Sequence, residues 1–316
     1  MTVLVELDGQ YRQLREECGL LDRSERGKLL VSGSEAAEYL QGQLTNDIEA
    51  IEPGEGLYAA LLDRKGHMQG DMRVLRPGEG PDLLLDSEPE ALGAVRRHLG
   101  MYKIGREVDV VDVSAERTIL SLIGPRAVEI AGSAALPENA CEEVTLAGTR
   151  VLAVGTATGI DLICEAEARE RVSEALLAAG AAEVSPEAVE ILRIEAGSPR
   201  FGAEMGTATM PAEAGIVEQA VSFTKGCYIG QETVARLHYK GKPNRHLRGL
   251  KLSGAARTGE PVRLGEKEVG RLGGSGVSPA FGAIGLAILR REAEPGITVA
   301  VGEDGVTAEV VALPFG

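Results

Sequence analysis

Thirteen residues, Thr224 to Arg236, bring together a thiol, an amide, a carboxylate, two glycines and two cations. Cys227 is the candidate nucleophile of this segment. Gly226 permits a tight turn or a close approach to a ligand. The run from Gln231 to Arg236 suits a helix, which predicts Cys227 at or just before its first turn. There the helix dipole and Lys225 would both favour the thiolate. The plainer reading is a buried structural cysteine beside a turn, since free cysteine is among the most buried residue types.

Two carboxylates also stand in positions fit for chemistry. Asp71 follows the turn at Gly66 on an alternating strand, where it shares a face with Gln69 and Arg73. A strand carboxylate facing a cavity is a candidate proton acceptor; an ion pair with Arg73 or Lys65 is the alternative. Glu195 falls at a helix C-terminus, where the dipole disfavours a carboxylate. It can accept two parallel N–H bonds from a flat heterocycle such as a pterin, or pair at the surface with Arg193 or Arg200. Asn46-Asp47 caps or turns the chain after a helix, or lines a site. Tyr102 and Phe201 are isolated aromatics that stack on a ring or pack in a core.

At 316 residues the chain exceeds a usual single core and predicts two or three domains. Aromatics are only 3% with no Trp, so Leu, Val, Ile and Ala must build the interior. The net charge of −15 argues against nucleic acid or an anionic membrane as the main partner. Lys225 to Lys251 nevertheless carries seven Lys/Arg against one acid, a net +6 that leaves −21 for the remainder. Such segregation suits a local anionic ligand, or else a solvated loop paired with acidic neighbours. The four cysteines lie far apart with no C-x-x-C pair, which predicts neither a zinc site nor a disulfide scaffold. Met1 to Leu20 lacks an apolar signal core and no apolar run approaches a membrane span, so a cytoplasmic protein is expected.

The elements that must hold these groups read as short αβ units up to about residue 240. Strands are predicted at 28–32, 57–62, 68–75, 82–86, 108–113, 118–123, near 144, 150–154 and 160–164. Helices are predicted from Ser34 as N-cap to Gln43, from Pro89 to Leu99, after Gly124-Pro125, over 167–179 and over 187–195, the last with Val189, Ile191 and Leu192 inward. Beyond the basic linker at 240–244 the chain becomes Gly-rich and short-stranded, with the rhythm of a small antiparallel barrel. The pair Gly274 and Gly276 is too sparse for a phosphate loop.

Lys225-Gly226-Cys227-Tyr228-Ile229-Gly230-Gln231-Glu232 with Val234-Ala235-Arg236 resembles the signature of the YgfZ branch of the folate-binding aminomethyltransferase (glycine cleavage T-protein, GcvT) superfamily. Supporting similarities are Leu40 to Asp47, Leu62 to Gly66 with Asp71, Gly124-Pro125, Arg193 to Gly197 and Phe201-Gly202. The resemblance spans essentially the whole chain. T-proteins usually carry two successive carboxylates where this chain has Gly70-Asp71, and lack the cysteine after Lys-Gly.

That resemblance implies an α+β cloverleaf of αβ lobes around a central hole holding tetrahydrofolate, or a methylene or polyglutamylated derivative. A C-terminal antiparallel β-barrel follows. Residues 1–242 would form the folate-binding region, in one or two lobes, and 243–316 the barrel domain. In the implied site Glu195 binds the pterin, Asp71 faces the reactive part of the folate and Cys227 supplies a thiol. Asn46, Asp47, Tyr102, Lys225 and Arg236 complete the set, the basic segment receiving the glutamyl tail. No metal ligand set is expected. The leading functional expectation is a YgfZ-like protein supporting assembly or repair of iron–sulfur client proteins. The alternative is an enzyme, an aminomethyltransferase moving a one-carbon unit from a lipoyl-bound intermediate to tetrahydrofolate; a structural or RNA-associated protein is the third.

Overall fold

A computed structural model describes residues 2–316, with side chains from Glu6 onward; Met1, the first residue of the stretch read above for a signal sequence, lies outside it. The chain divides into two compact units. The first comprises the chain up to Asp63 together with Gln69–Ser185 and Gln219–Ile229, and the second Arg64–Met68, Pro186–Glu218 and Gly230–Gly316.

The first unit holds two mainly antiparallel sheets. One has five strands in the spatial order Glu55–Leu62, Met68–Arg76, Leu83–Ser87, Gly27–Ser32 and Asp109–Asp112. The other has six, in the order Ala182–Glu183, Gly19–Asp22, Arg117–Ile123, Gly159–Glu165, Thr149–Thr156 and Cys141–Leu146. Leu75 and Leu84 of the first sheet pack with Ile119, Leu152, Val154 and Ile163 of the second. These side chains come from both sheets, and burying them removes apolar surface from water. On the five-stranded sheet, a Cβ added to Gly70 would come within 2.8 Å of Val95 and 2.9 Å of Ala91. Gly70 therefore admits the helix Pro89–Tyr102 close against the strand.

In the second unit six strands close into a barrel in the order Arg245–Leu252, Gly282–Arg290, Lys267–Ser278, Pro261–Leu264, Thr298–Val301 and Val306–Val311. Closure runs through Leu250 opposite Val310, around a core that includes Leu250, Val262, Leu272, Leu289 and Val299. The helix Pro186–Ala196 lies against the strand Lys267–Ser278. Gly274 and Gly276 make that approach possible: a Cβ on Gly274 would sit 2.4 Å from Arg193 Nη2, and one on Gly276 3.2 Å from Ile191 Cγ1. The α+β class and the antiparallel barrel expected from the sequence are both present.

Several local expectations need correction. A helix over Thr2–Glu16 was not anticipated. Ser34 does not cap its helix; its hydroxyl donates to Glu107 Oε2 at 2.6 Å, and Glu35 is the N-cap without a side-chain bond. The helix at Pro89 runs on to Tyr102, beyond the expected Leu99. The inward stripe of Pro186–Ala196 is Ala188, Ile191, Ile194 and Glu195; Val189 and Leu192 are only half-buried. A helical repeat of three and four residues thus carries the carboxylate of Glu195 into the packed face.

Candidate functional site

Asp71 is 7% exposed on the strand Met68–Arg76 and accepts a hydrogen bond at Oδ2 from the Tyr58 hydroxyl on the neighbouring strand Glu55–Leu62. Its other oxygen, Oδ1, is buried and has no hydrogen-bond partner among the described residues. Burial pushes the Asp71 carboxyl up to about 6; the Tyr58 bond and Arg26 draw it down, and the charge of Glu88 raises it. Burial, with the Asp71 charge and hydrogen bond, holds the Tyr58 phenol well above its ordinary range, so it remains a donor. A buried acceptor with one open oxygen and a proton affinity near neutrality suits proton transfer.

Arg73, the alternative partner on the same strand, is committed elsewhere. Arg73 reaches Asp86 Oδ2 at 2.5 Å and Asp161 Oδ2 at 2.7 Å, joining the two sheets. Arg26 pairs with both Asp86 and Glu88. Tyr58, Arg26 and Glu88 escaped sequence reasoning. The one available signal was that Tyr58 and Asp71 flank a hairpin turn on strands that must pair.

Glu195, 4% exposed, occupies the last turn of Pro186–Ala196. Ser278 Oγ donates to its Oε1 at 2.5 Å and accepts the N–H groups of Ala280 and Phe281, each at 3.0 Å. With both backbone donors directed at it, the hydroxyl has its proton left for the carboxylate. The Glu195 carbonyl accepts the Phe315 N–H at 2.9 Å, tying the end of the chain to this turn. Arg193 instead binds Glu190 and the fully buried Glu204, and Arg200 lies 3.7 Å from Glu190. The surface ion pair entertained for Glu195 is therefore replaced by a buried, oriented carboxylate.

Lys225 is a correction. It is 8% exposed, and its ammonium donates to the carbonyls of Gln41 (2.6 Å), Leu44 (2.8 Å) and Asn46 (2.7 Å). All three donors are thereby used on the chain leaving the helix Ala36–Gln43, so none remains for a folate tail or for the thiol. Burial pushes the ammonium down to about 8, against the pull of Asp47 and Glu49. Asn46 belongs to the same knot: its amide donates to the Tyr58 and Gln219 carbonyls, and its Oδ1 accepts the Asp47 N–H. Asp47 accepts the Gln41 amide at 2.8 Å. Fully buried Thr45 donates to the Ala220 carbonyl and accepts the Ala60 N–H. This stretch resembling the family motif thus stitches residues 41–48 to 219–225.

Cys227 is exposed in the loop and lies three residues ahead of Gly230, the N-cap of the helix Gln231–Lys240. It precedes that helix's first turn, and its exposure rules out the buried structural reading. Arg236 is exposed on the same helix. Tyr102 is 47% exposed and stacks at 4.5 Å on the ring of His98, whereas Phe201 is buried. Of the seven cations of the basic segment, Arg245 is spent on Glu213, Lys225 is buried, Arg248 and Lys251 are half-buried, and Arg236, Lys240 and Lys242 are exposed. A cavity of about 520 Å³ in the first unit has Leu30, Leu84, Val113 and Leu152 in its lining and Arg117 and Arg150 among its charged residues; none of the expected site residues lines it. Among the described residues no cluster of three His, Cys, Asp or Glu is arranged for a metal. No described helix is long and apolar enough to cross a membrane.

Each unit thus holds a buried carboxylate, Asp71 in the first and Glu195 in the second, and sequence comparison supplies the family. Residues 6–225 match the GCVT N-terminal domain and residues 245–315 the glycine cleavage T-protein C-terminal barrel domain. The chain belongs to the glycine cleavage T-protein, or aminomethyltransferase, family. An aminomethyltransferase of Rubrobacter xylanophilus is 30% identical, the match covering 98% of this chain and 86% of that protein. One of Listeria welshimeri is also 30% identical, with 98% and 89% covered. The crystal structure of glycine cleavage system aminomethyltransferase T from Bartonella henselae shares the fold with a TM-score of 0.86 at 22% identity, covering 98% of this chain and 89% of that one. The family uses tetrahydrofolate as its cofactor. These relatives overturn the leading functional expectation: they are aminomethyltransferases, and none of them supports a YgfZ-like role in iron–sulfur protein assembly.

Proposed function

We propose that the chain is an aminomethyltransferase, which moves a one-carbon unit from an aminomethyl group on a lipoyl-bound donor to tetrahydrofolate and releases ammonia. The observation that carries this reading is the Asp71 carboxylate, buried, fixed at Oδ2 by Tyr58 and open at Oδ1. Relatives named aminomethyltransferase across nearly the full chain support it.

Each of two buried carboxylates, taken by itself, fits a reduced folate, whose N–H groups require acceptors. Asp71 offers Oδ1, and Glu195 offers a carboxylate oriented by Ser278. Bound tetrahydrofolate supplies the nucleophilic nitrogen that takes up the carbon. Asp71 accepts a proton at Oδ1 and Tyr58 prevents the carboxylate from swinging away. Glu195 accepts pterin N–H groups. Asn46, Asp47 and Lys225 act indirectly, by holding the 41–48 loop. Arg236 serves as an exposed cation for the anionic end of the cofactor.

The test supplies the protein with an aminomethyl-loaded lipoyl carrier and tetrahydrofolate and follows ammonia. Folate-dependent release that is lost in Asp71→Asn is the expected result. Tight folate binding with no ammonia release in the wild type overturns the proposal.

A further inference from the structure

Two rows of ionisable groups cross the five-stranded sheet, two residues apart. In one, Arg73 stands opposite Asp86 and Asp86 opposite Lys28. In the same registers Met72 pairs with Ser87 and Ser87 with Gly27. Continued one residue past these paired positions, both registers lead Asp71 toward Glu88, and Glu88 toward Arg26. The Arg26–Glu88 ion pair closes at that step. Glu88 keeps an extended backbone (φ −62°, ψ 145°) before the helix Pro89–Tyr102 begins, so the strand geometry carries on through it. Tyr58 completes this second row from the far side by donating to Asp71.

Glu88 is 9% exposed. Arg26 Nη1 binds its Oε1, and Arg23 Nη2 lies 3.4 Å from the same atom. Arg26 has a second carboxylate partner in fully buried Asp86, so its charge is not balanced by Glu88 alone. Residues directly opposite on neighbouring antiparallel strands have Cβ atoms about 4.5–5.5 Å apart, and like charges so placed oppose joint ionisation.

We propose that Glu88 is a positioning residue for Asp71: held in place by Arg26 and Arg23, it sets a second carboxylate beside Asp71 and thereby readies Asp71 to take a proton. The charged and titratable groups acting on Asp71 come from three neighbouring elements. Tyr58 donates from one side, Glu88 repels from the other, and Arg26 attracts from one strand beyond. This role rests on the reading of Asp71 as the proton acceptor.

The test titrates the carboxyl carbons of folate-free protein by NMR after selective ¹³C labelling, with Asp71→Asn assigning the Asp71 signal. In Glu88→Gln the Asp71 midpoint falls by about one pH unit, and in the charge-conserving Glu88→Asp it returns toward the wild-type value. The acid limb of the pH profile for ammonia release moves the same way. A midpoint that stays in place in folded Glu88→Gln overturns the proposal. Should that variant not fold, the wild type decides: the Glu88 signal inflects at the Asp71 midpoint, and a flat signal there overturns the coupling. The two readings fail separately, because full turnover in Asp71→Asn removes the role of Asp71 whereas an unmoved midpoint removes that of Glu88.

Discussion

Ser278 Oγ lies 2.5 Å from Glu195 Oε1 while two backbone N–H groups of the following turn point at the same hydroxyl. A barrel hairpin therefore orients a carboxylate at the end of a helix, and the carboxylate does not choose its own rotamer. In Ser278→Ala the Glu195 side chain loses a hydrogen bond to a charged group, a contribution of about 1.5 kcal/mol or more. Calorimetric titration with tetrahydrofolate is expected to show affinity about tenfold weaker. Equal affinity in the variant would remove Glu195 orientation from the account of binding.

Asp71 carries a stability penalty that its neutral analogue relieves. The folded chain holds this proton to about 6, against an ordinary value of 3.8, so folding takes up protons between those values. Stability contributed by this group falls as pH rises from about 4 to 6 and is level above. Asp71→Asn is expected to raise unfolding free energy at pH 7 by about 2–3 kcal/mol, with the gain vanishing below pH 4. Urea denaturation at both pH values checks it; a destabilised variant at pH 7 contradicts the buried-carboxylate picture.

The same carboxyl sets an acid limb on turnover. Under the proposed function Asp71 works ionised, so the rate of ammonia release is expected to rise with pH through a midpoint of about 6. Asp71→Asn abolishes that limb and lowers turnover by roughly 10²–10⁴-fold. A wild-type profile flat from pH 5 to 7 would assign the proton transfer to another group.

Lys225 is a structural clasp, and its replacement is felt as unfolding. Lys225→Met leaves the carbonyls of Gln41, Leu44 and Asn46 without their shared donor. At about 1 kcal/mol for each lost bond, the loss is about 3 kcal/mol, readable as a lower urea midpoint with unchanged slope. Retained stability would mean that the loop finds other donors.

Thiol accessibility separates the four cysteines. Burial pushes Cys18, Cys141 and Cys164 up to about 11, whereas Cys227 is exposed. A chromogenic disulfide reagent at neutral pH is expected to modify one thiol per folded chain and the other three only after denaturation. Two fast thiols in the folded protein would show that one of the buried positions opens readily.

Much of the architecture can be read from short windows of the chain. Alternating apolar residues at 68–75 and a continuous apolar run at 284–289 mark strands that the structure contains, and Pro89 marks a helix start. The site is less legible. Glu195 reads as an awkward surface charge until the helical repeat is counted, which sets it four residues after buried Ile191. Lys225 reads as an ally of Cys227, yet three carbonyls about 180 residues earlier in the chain take its ammonium.

The amino-acid order by itself determined the α+β class, the barrel rhythm after residue 244 and the family motifs, because turn chemistry and hydrophobic period act over a few neighbouring residues. Folding decided which charges are dry and whom they meet. Tyr58 comes to Asp71 across a hairpin, Arg26 comes to Glu88 over 62 residues, and Ser278 reaches Glu195 over 83 residues of chain. A carboxylate's proton affinity depends on lost water and on neighbouring charge, and both are properties of the packed molecule.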